Sequence, residues 1–191
     1  MNIKKLLLHN RSYRRFKQEP ALSKNDLFDL IDSVRLSPSS RNDQALKFIL
    51  LHSIKLCNTL FPFTAWAGYL KDWPGPGEDE RPTSYIIILN DTNISKKSDV
   101  DVGIAAQSIL LTAAEKGFGG CMLGSIKREK IRESFSINEK YEIPLVIALG
   151  KPAEKVVIDD IDSGDTRYYR DADETHHVPK RKVEELIIDI K

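Results

Sequence analysis

Residues 99–124, DVDVGIAAQSILLTAAEKGFGGCMLG, join a long apolar segment to a glycine-rich one. The first part predicts a helix over Asp99–Lys116 that ends at Gly117, because glycine readily adopts the left-handed backbone that follows a helix C-terminus. Small and branched residues cover almost the whole circumference of this helix: Val102, Ile104, Ala105, Ala106, Ile109, Leu110, Ala113 and Ala114. Such a helix is buried on most sides, so we expect it at the centre of the domain or across a dimer interface.

The glycine-rich part, Gly117–Gly124, does not match the common nucleotide-binding loops. A dinucleotide fingerprint opens a helix after a strand, whereas these glycines follow a helix, and Met122 stands where the third glycine is required. A P-loop is also excluded, because the only Gly-Lys pair in the chain is followed by Pro152. A helix end and a tight turn explain the first two glycines but do not require the last two. We therefore expect a backbone that approaches a flat ligand closely.

The segments on either side alternate between helices and strands. Apolar periodicity predicts helices over Lys4–Asn10, Ser23–Leu36 and Lys127–Phe135. Short apolar runs predict strands over Leu46–Leu51, Tyr85–Leu89, Gly120–Leu123 and Ile143–Leu149. The C-terminal segment Lys182–Ile190 fits either a strand or a helix. The pattern predicts a single α+β domain over residues 1–191, with helices covering a small sheet.

The composition is that of a globular protein with almost no net charge. Among 191 residues, 29 Lys and Arg oppose 28 Asp and Glu, for a formal net charge of +1, and 41% are apolar. Because the chain has no basic excess, we expect no nucleic-acid partner. Because it has no long apolar run, we expect no membrane partner. With no signal-peptide pattern and only two cysteines, the chain is expected to be cytoplasmic and to lack a disulfide framework.

Two polar segments carry candidate binding groups. Arg11–Phe16 places two guanidinium groups and a hydroxyl within four residues, and such groups can converge on one phosphate. Ser37–Gln44 offers hydroxyl and amide groups suited to the edge of a polar heterocycle. Each segment also has an ordinary explanation, since Arg-rich helix ends and proline-containing turns are common.

The order and spacing of these segments resemble the FMN-dependent nitroreductase family. That family has an R-S-x-R-x-F element, an S-P-S-S-x-N-x-Q-P-W-x-F element about 25 residues later, a buried helix with a glycine-rich strand, and a late L-G-x-P followed by basic residues. This chain has the counterparts Arg11–Phe16, Ser37–Phe48, Asp101–Gly124, and Ala148–Pro152 with Lys180-Arg181. The resemblance spans nearly the whole chain. It implies a small, mixed, mostly antiparallel sheet flanked by helices, in an intertwined homodimer.

The resemblance also implies which residues hold the phosphate and ribityl end of FMN. Arg11, Ser12 and Arg14 correspond to the first element. Arg181, with Lys180 as its neighbour, would complete the phosphate clamp.

For the flavin ring, the resemblance implies contacts from both subunits. The backbone around Met122, Leu123 and Gly124 would face N5 of the isoalloxazine. The second subunit would supply four residues to the ring and ribityl edge: Pro38, Ser39, Ser40 and Asn42. The flavin would carry the chemistry, with NADH or NADPH as electron donor in a ping-pong cycle, so no catalytic side chain is expected.

The chain departs from the family pattern at two places. Ala45-Leu46 stands where Pro-Trp is usual, which alters a packing contact behind the flavin. The segment 61–83 holds five of the fifteen aromatic residues and four of the nine prolines. It is interpreted either as a hydrophobic cluster under a long loop or as a lid that brings Trp66, Tyr69 or Trp73 to the substrate.

Three interpretations of function stay open. The first is an FMN oxidoreductase that reduces nitroaromatics, quinones or similar small electrophiles, and the second is a narrower flavin enzyme, such as a flavin reductase or reductive dehalogenase. The third is a non-catalytic module that binds a flavin or another anion. A redox role for Cys121 and a metal site at His176-His177 are weaker hypotheses. Neighbouring residues on an extended chain point to opposite sides, so we expect no metal site.

Overall fold

The computed structural model describes residues 2–161 and 164–191. Its central element is an antiparallel sheet whose strands are β1 (Phe16–Lys17), β2 (Leu46–Leu51), β3 (Ser84–Asp91), β4 (Gly119–Leu123) and β5 (Tyr141–Pro152). The long β5 pairs with β3 and β4, and β2 lies on the far side of β3. The short β1 pairs with Lys151 and Pro152 at the end of β5.

The described residues also form six α-helices: α1 (Ile3–His9), α2 (Lys24–Leu36), α3 (Ile54–Leu60), α4 (Asp99–Glu115), α5 (Arg128–Ser134) and α6 (Val183–Leu186). The predicted strands and the helices α1, α2, α4 and α5 are confirmed, with ends that differ by a few residues. The α+β class and the mostly antiparallel sheet are confirmed as well. Helix α3 was not predicted.

Strand β3 lies at the centre of the molecule and is buried along its whole length. Tyr85 and Ile87 belong to one hydrophobic core, and Ile86 and Ile88 belong to a second. This alternation follows from the period-2 geometry of a strand. The continuous apolar run of β3 is therefore explained by cores on both faces of the sheet.

Helix α4 contributes to the second core through one broad face, which includes Val102, Ala106 and Ile109. Val100 is 71% exposed on a single chain. A single subunit thus buries most of the apolar residues of α4 but leaves Val100 exposed. The expectation that the remainder lies in a dimer interface stays a prediction.

A second sheet, absent from the sequence-based prediction, follows β5. Its strands are β6 (Val156–Asp160), β7 (Tyr169–Arg170) and β8 (His176–Lys180), and β8 lies between parallel β6 and antiparallel β7. Strands β7 and β8 are short and mostly polar, and the apolar part of β6 is a run of only three residues, so no apolar alternation marks these strands in the sequence. In the C-terminal segment, only α6 is regular.

Among residues 2–161 and 164–191, no helix is both long enough and apolar enough to cross a bilayer.

Candidate functional site

Four of the five residues of the predicted phosphate clamp meet at a cavity of about 280 Å³ between the N-terminal segment and β8. Its lining consists of Asn10, Arg11, Ser12, Arg14, Tyr168, His176, Val178 and Lys180. Three of these residues are cations and none is acidic. Within the described ranges, no carboxylate forms an ion pair with any of the three cations. A cavity with this charge pattern is suited to an anion.

The chain reaches this cavity immediately after α1 ends at His9. Ser12 forms a parallel bridge with Gly120, and the Tyr13 N–H donates to the Gly120 carbonyl at 3.0 Å. Three residues after Tyr13, Phe16 pairs with Pro152. The arginine segment is therefore held between the glycine-rich strand and the end of β5.

Arg14 is a buried cation, with 8% of its surface exposed. Its Nη1 donates to the Ser12 carbonyl and lies 3.1 Å from His176 Nε2. Its guanidinium carbon lies 4.6 Å from the centre of the Tyr168 ring, within the range of a cation–π contact. Arg11 is partly buried, which lowers its pKa from its ordinary value, and its Nη2 donates to the Leu7 carbonyl at 2.6 Å.

Glu154 holds the backbone of the arginine segment in place. Its Oε1 accepts hydrogen bonds from the Arg14 N–H and, at 3.2 Å, from the Arg15 N–H. Its Oε2 pairs with Arg170 Nη2 at 2.9 Å, and the side chains of this pair are 2% and 8% exposed. Glu154 thus uses both oxygens on groups other than the Arg14 guanidinium.

The two adjacent histidines of β8 have different surroundings. His176 is fully buried beside Arg14 and Tyr168, whose ring centre is 5.2 Å away. His177 Nδ1 lies 2.7 Å from Asp159, and its Nε2 lies 3.0 Å from Asp171. Burial, together with Arg14 and Arg170, lowers the pKa of His176 to about 4, whereas the hydrogen bonds to Asp171 and Asp159 raise the pKa of His177.

We expect His176 to make the fold sensitive to acid. Unfolded His176 binds a proton below its ordinary pKa of 6.5, whereas the folded group does so only near 4, so stability falls as the pH drops between these values. Between about pH 7 and about pH 4, the free energy of unfolding of His176→Gln should therefore fall by about 3 kcal/mol less than that of wild type. Urea unfolding at a series of pH values measures this difference.

His177→Gln is the matched variant with the opposite sign. The raised pKa of His177 means that its ion pairs stabilise the fold below 6.5 and are lost as the pH rises through the folded value. In the same unfolding series, the free energy of unfolding of His177→Gln should fall furthest below that of wild type at low pH. Equal acid sensitivity of wild type and His176→Gln would contradict the assignment.

The glycine-rich strand forms one wall beside the arginine segment. A β-carbon at Gly120 would overlap its neighbours, whereas one at Gly124 would have no heavy atom within 4 Å. Met122 is 41% exposed and Leu123 is buried. Close packing therefore explains Gly120, while Gly124 borders open space. Burial raises the pKa of the neighbouring Cys121 thiol, which does not favour a redox role.

The serine-rich loop is in a different place. Pro38, Ser39 and Asn42 line a separate cavity of about 210 Å³ that shares no residue with the first. The Ser40 N–H donates to Asp101 Oδ1 at 2.8 Å. Asn42 has a φ of 58°, in the left-handed region that non-glycine residues rarely adopt. One chain does not bring this loop to the arginine segment.

Of the two predicted basic residues near the C-terminus, Lys180 lines the anion cavity. Arg181 instead donates to Glu185 at 3.2 Å. The structure therefore brings Arg11, Ser12, Arg14 and Lys180 together.

The aromatic residues of segment 61–83 have three different environments. Trp66 packs against the first core, and its Nε1 donates to Thr64 Oγ1 at 3.0 Å. Trp73 lies between two guanidinium groups, those of Arg15 and Arg170, at 5.7 and 4.3 Å. Tyr69 is 56% exposed, and its ring centre is 4.9 Å from that of Tyr168.

Sequence reasoning missed Tyr168, Glu154 and Arg170 and considered His176 only as a metal ligand. The two histidines do have opposite surroundings, as expected for neighbouring residues on an extended chain. No motif marks Tyr168 or Glu154, because Arg14, which both of them contact, lies about 140 residues or more away along the chain.

Proteins of known family resemble this chain in sequence and fold. The profile of the nitroreductase family matches residues 7–151. YodC of Bacillus subtilis (strain 168), named for an NAD(P)H nitroreductase activity, is 23% identical over 170 residues, which cover 73% of this chain and 84% of that protein.

Two solved structures illustrate the similarity of fold. A nitroreductase family protein of Streptococcus pneumoniae TIGR4 has a TM-score of 0.68 at 15% identity and covers 99% of this chain and 100% of its own. A protein of Exiguobacterium sibiricum 255-15, solved in complex with FMN, has a TM-score of 0.64 at 16% identity, covering 81% of this chain and 90% of its own.

Proposed function

This chain belongs to the nitroreductase family, and we propose that it is an FMN-dependent oxidoreductase that passes electrons from NAD(P)H to small electrophiles such as nitroaromatics or quinones. The observation that carries the proposal is the cavity lined by Arg11, Arg14 and Lys180 without an acidic residue. Buried or partly buried cations without a carboxylate partner are costly unless an anion binds beside them.

The phosphate of FMN fits these residues chemically. Arginine forks match phosphate oxygens in pairs of hydrogen bonds, and the Ser12 hydroxyl and the Lys180 ammonium supply further donors. We propose that Arg11, Ser12, Arg14 and Lys180 hold the phosphate and ribityl end. Arg181 would join this clamp only by leaving Glu185.

The flavin ring would lie along Met122, Leu123 and Gly124, where the exposed Met122 and the open space at Gly124 leave room for a flat group. We propose that the chain is a homodimer, with the second subunit supplying the remaining ring contacts: Pro38, Ser39, Ser40 and Asn42. Pro38, Ser39 and Asn42 line a cavity of their own, and none of the four residues lines the anion cavity of the same chain. A stable 21.7 kDa species with FMN bound would contradict the dimer.

When bound, FMN supplies the group that accepts and donates electrons. The residues of this chain bind and orient it, and we assign no proton-transferring side chain. Because donor and acceptor would occupy one open face in turn, we propose a ping-pong order of reaction. Stopped-flow reduction with NADH and with NADPH, followed by mixing with a panel of acceptors, tests both the donor and the order.

Replacement of Arg14 by alanine should weaken FMN binding about 100-fold, because it removes a buried charge-assisted donor from the phosphate site. Titration of the full-length apoprotein with FMN, followed by flavin fluorescence, measures the change. Lys130→Ala is the control, since it removes one positive charge from a side chain that is 60% exposed on α5. Flavin bands absent from purified wild type, even after incubation with FMN, would overturn the proposal.

A narrower flavin enzyme is the second candidate, favoured by the position of segment 61–83. Through Tyr69, this segment contacts Tyr168, which lines the anion cavity. The same segment also reaches the end of the glycine-rich strand, where the Ala65 N–H donates to the Ser125 carbonyl at 3.0 Å. A cover in this position would restrict the acceptors that reach the flavin ring. Reduction of free flavin or of a halogenated aromatic, with little activity on nitroaromatics and quinones, would favour this candidate.

A further inference from the structure

The residues that surround the Arg14 side chain come largely from outside the part of the chain that matches the family profile. The match ends at residue 151, whereas Tyr168 and His176 belong to the segment that forms the second sheet. Both residues contact the guanidinium, one through its ring face and the other through Nε2. The second sheet therefore forms one side of the Arg14 environment.

His176 is suited to hold a cation because it is neutral in the fold. A guanidinium has only hydrogen-bond donors, so Nε2 accepts the hydrogen bond from Arg14 and the proton of the neutral ring lies on Nδ1. The charged groups nearest to His176 are Arg14 from the N-terminal segment and Arg170 from β7, with His177 next to it on β8. These neighbours and the burial all oppose a proton on His176.

The contacts leave the Arg14 guanidinium little freedom. One Nη atom lies between the Ser12 carbonyl and His176, each at 3.1 Å, while Tyr168 lies over the guanidinium plane. An arginine side chain is otherwise flexible, and a group held in place before the ligand arrives loses less entropy on binding. Arg14 also lines the anion cavity, so its orientation affects what binds there.

We propose that His176 is a positioning residue that orients Arg14 for the phosphate end of the cofactor, with Tyr168 as the second support. The proposal rests on the proposed FMN function and adds to it a role for the second sheet. His176 acts through Arg14 and does not itself need to touch the cofactor.

FMN titration of full-length apoprotein variants tests this role. His176→Ala should raise the dissociation constant of FMN about 10-fold, because Arg14 loses an acceptor. His176→Gln supplies an amide oxygen as acceptor and should stay within about 3-fold of wild type. His177→Gln, the neighbouring substitution on the opposite side of β8, should leave FMN affinity unchanged.

A double-mutant cycle separates positioning from a general structural effect. In the Arg14→Ala background, His176→Ala should cause no further loss of FMN affinity, since the residue through which it acts is absent. A further 10-fold loss in that background, or equal affinities for His176→Ala and wild type, would overturn the positioning role. Failure of His176→Gln to bind better than His176→Ala would do the same.

The outcome also distinguishes this role from the proposed function. Wild type that binds FMN while His176→Ala binds it equally well overturns only the role of His176. Wild type that binds no FMN overturns the proposed function and the positioning role together.

Discussion

Replacement of Glu154 by alanine is expected to lower the free energy of unfolding by about 4 kcal/mol, the cost of removing one partner of a buried ion pair. The substitution leaves the Arg170 guanidinium, with an 8% exposed side chain, without its close partner. Glu174 lies 3.9 Å from Arg170 and is 61% exposed, so it compensates little. The backbone N–H groups of Arg14 and Arg15 lose their acceptor as well.

Urea unfolding of wild type, Glu154→Ala and Glu154→Gln measures the effect. The glutamine variant keeps an oxygen for the two N–H groups but removes the charge, so its loss should be smaller. Glu133→Ala is the control, because the ion pair of Glu133 with Lys130 is exposed and contributes at most about 0.5 kcal/mol. A Glu154→Ala protein as stable as this control would show that the buried carboxylate is not needed.

Gly120→Ala is the second substitution with a large expected effect, a loss of about 3 kcal/mol through overpacking. The new β-carbon would overlap the backbone carbonyl oxygen of Ala148 and would lie 2.7 Å from a methyl group of Leu110. The first obstacle is backbone in the central strand β5, which cannot move without disturbing its pairing with β4. Either strand β4 or helix α4 therefore has to shift to make room for the new β-carbon.

Gly124→Ala provides a matched control, because Gly124 follows directly after the last residue of β4. A β-carbon there meets no heavy atom within 4 Å, so the free energy of unfolding should change by less than about 0.5 kcal/mol. The two variants are compared by thermal and urea unfolding. Similar losses in both would show that the loss at Gly120 comes from glycine's flexibility rather than from crowding.

The central sheet and its main helices could be predicted because burial leaves a local pattern. Strand β3 contains a continuous apolar run, because both of its faces are covered. Helix α4 is apolar around most of its surface, and Gly117 follows its C-terminal end. Helix α2 begins with a capping box formed by Ser23 and Asp26. In each case the signal lies within about fifteen consecutive residues.

The second sheet could not be predicted in this way, because its strands have only two to five residues and alternate weakly. The candidate site shows the same contrast. Arg11, Ser12 and Arg14 form a recognisable motif, whereas Glu154 and His176 contact that segment from positions 140 and 162 residues further along the chain. The adjacent histidines were considered for a metal site and judged unsuited to one; their actual partners, a guanidinium for one and two carboxylates for the other, were not foreseen.

The contacts of Arg14 also bear on how the protein acquires its structure during synthesis. Its partners Glu154 and His176 follow it by 140 and 162 residues. Closing such long loops is entropically costly, so contacts of this span form after local helices and hairpins. On the ribosome, the arginine segment emerges early and has to wait for β8 before its cavity can close. The ability to hold an anion is therefore expected to arise among the last events of folding, after the central sheet has assembled.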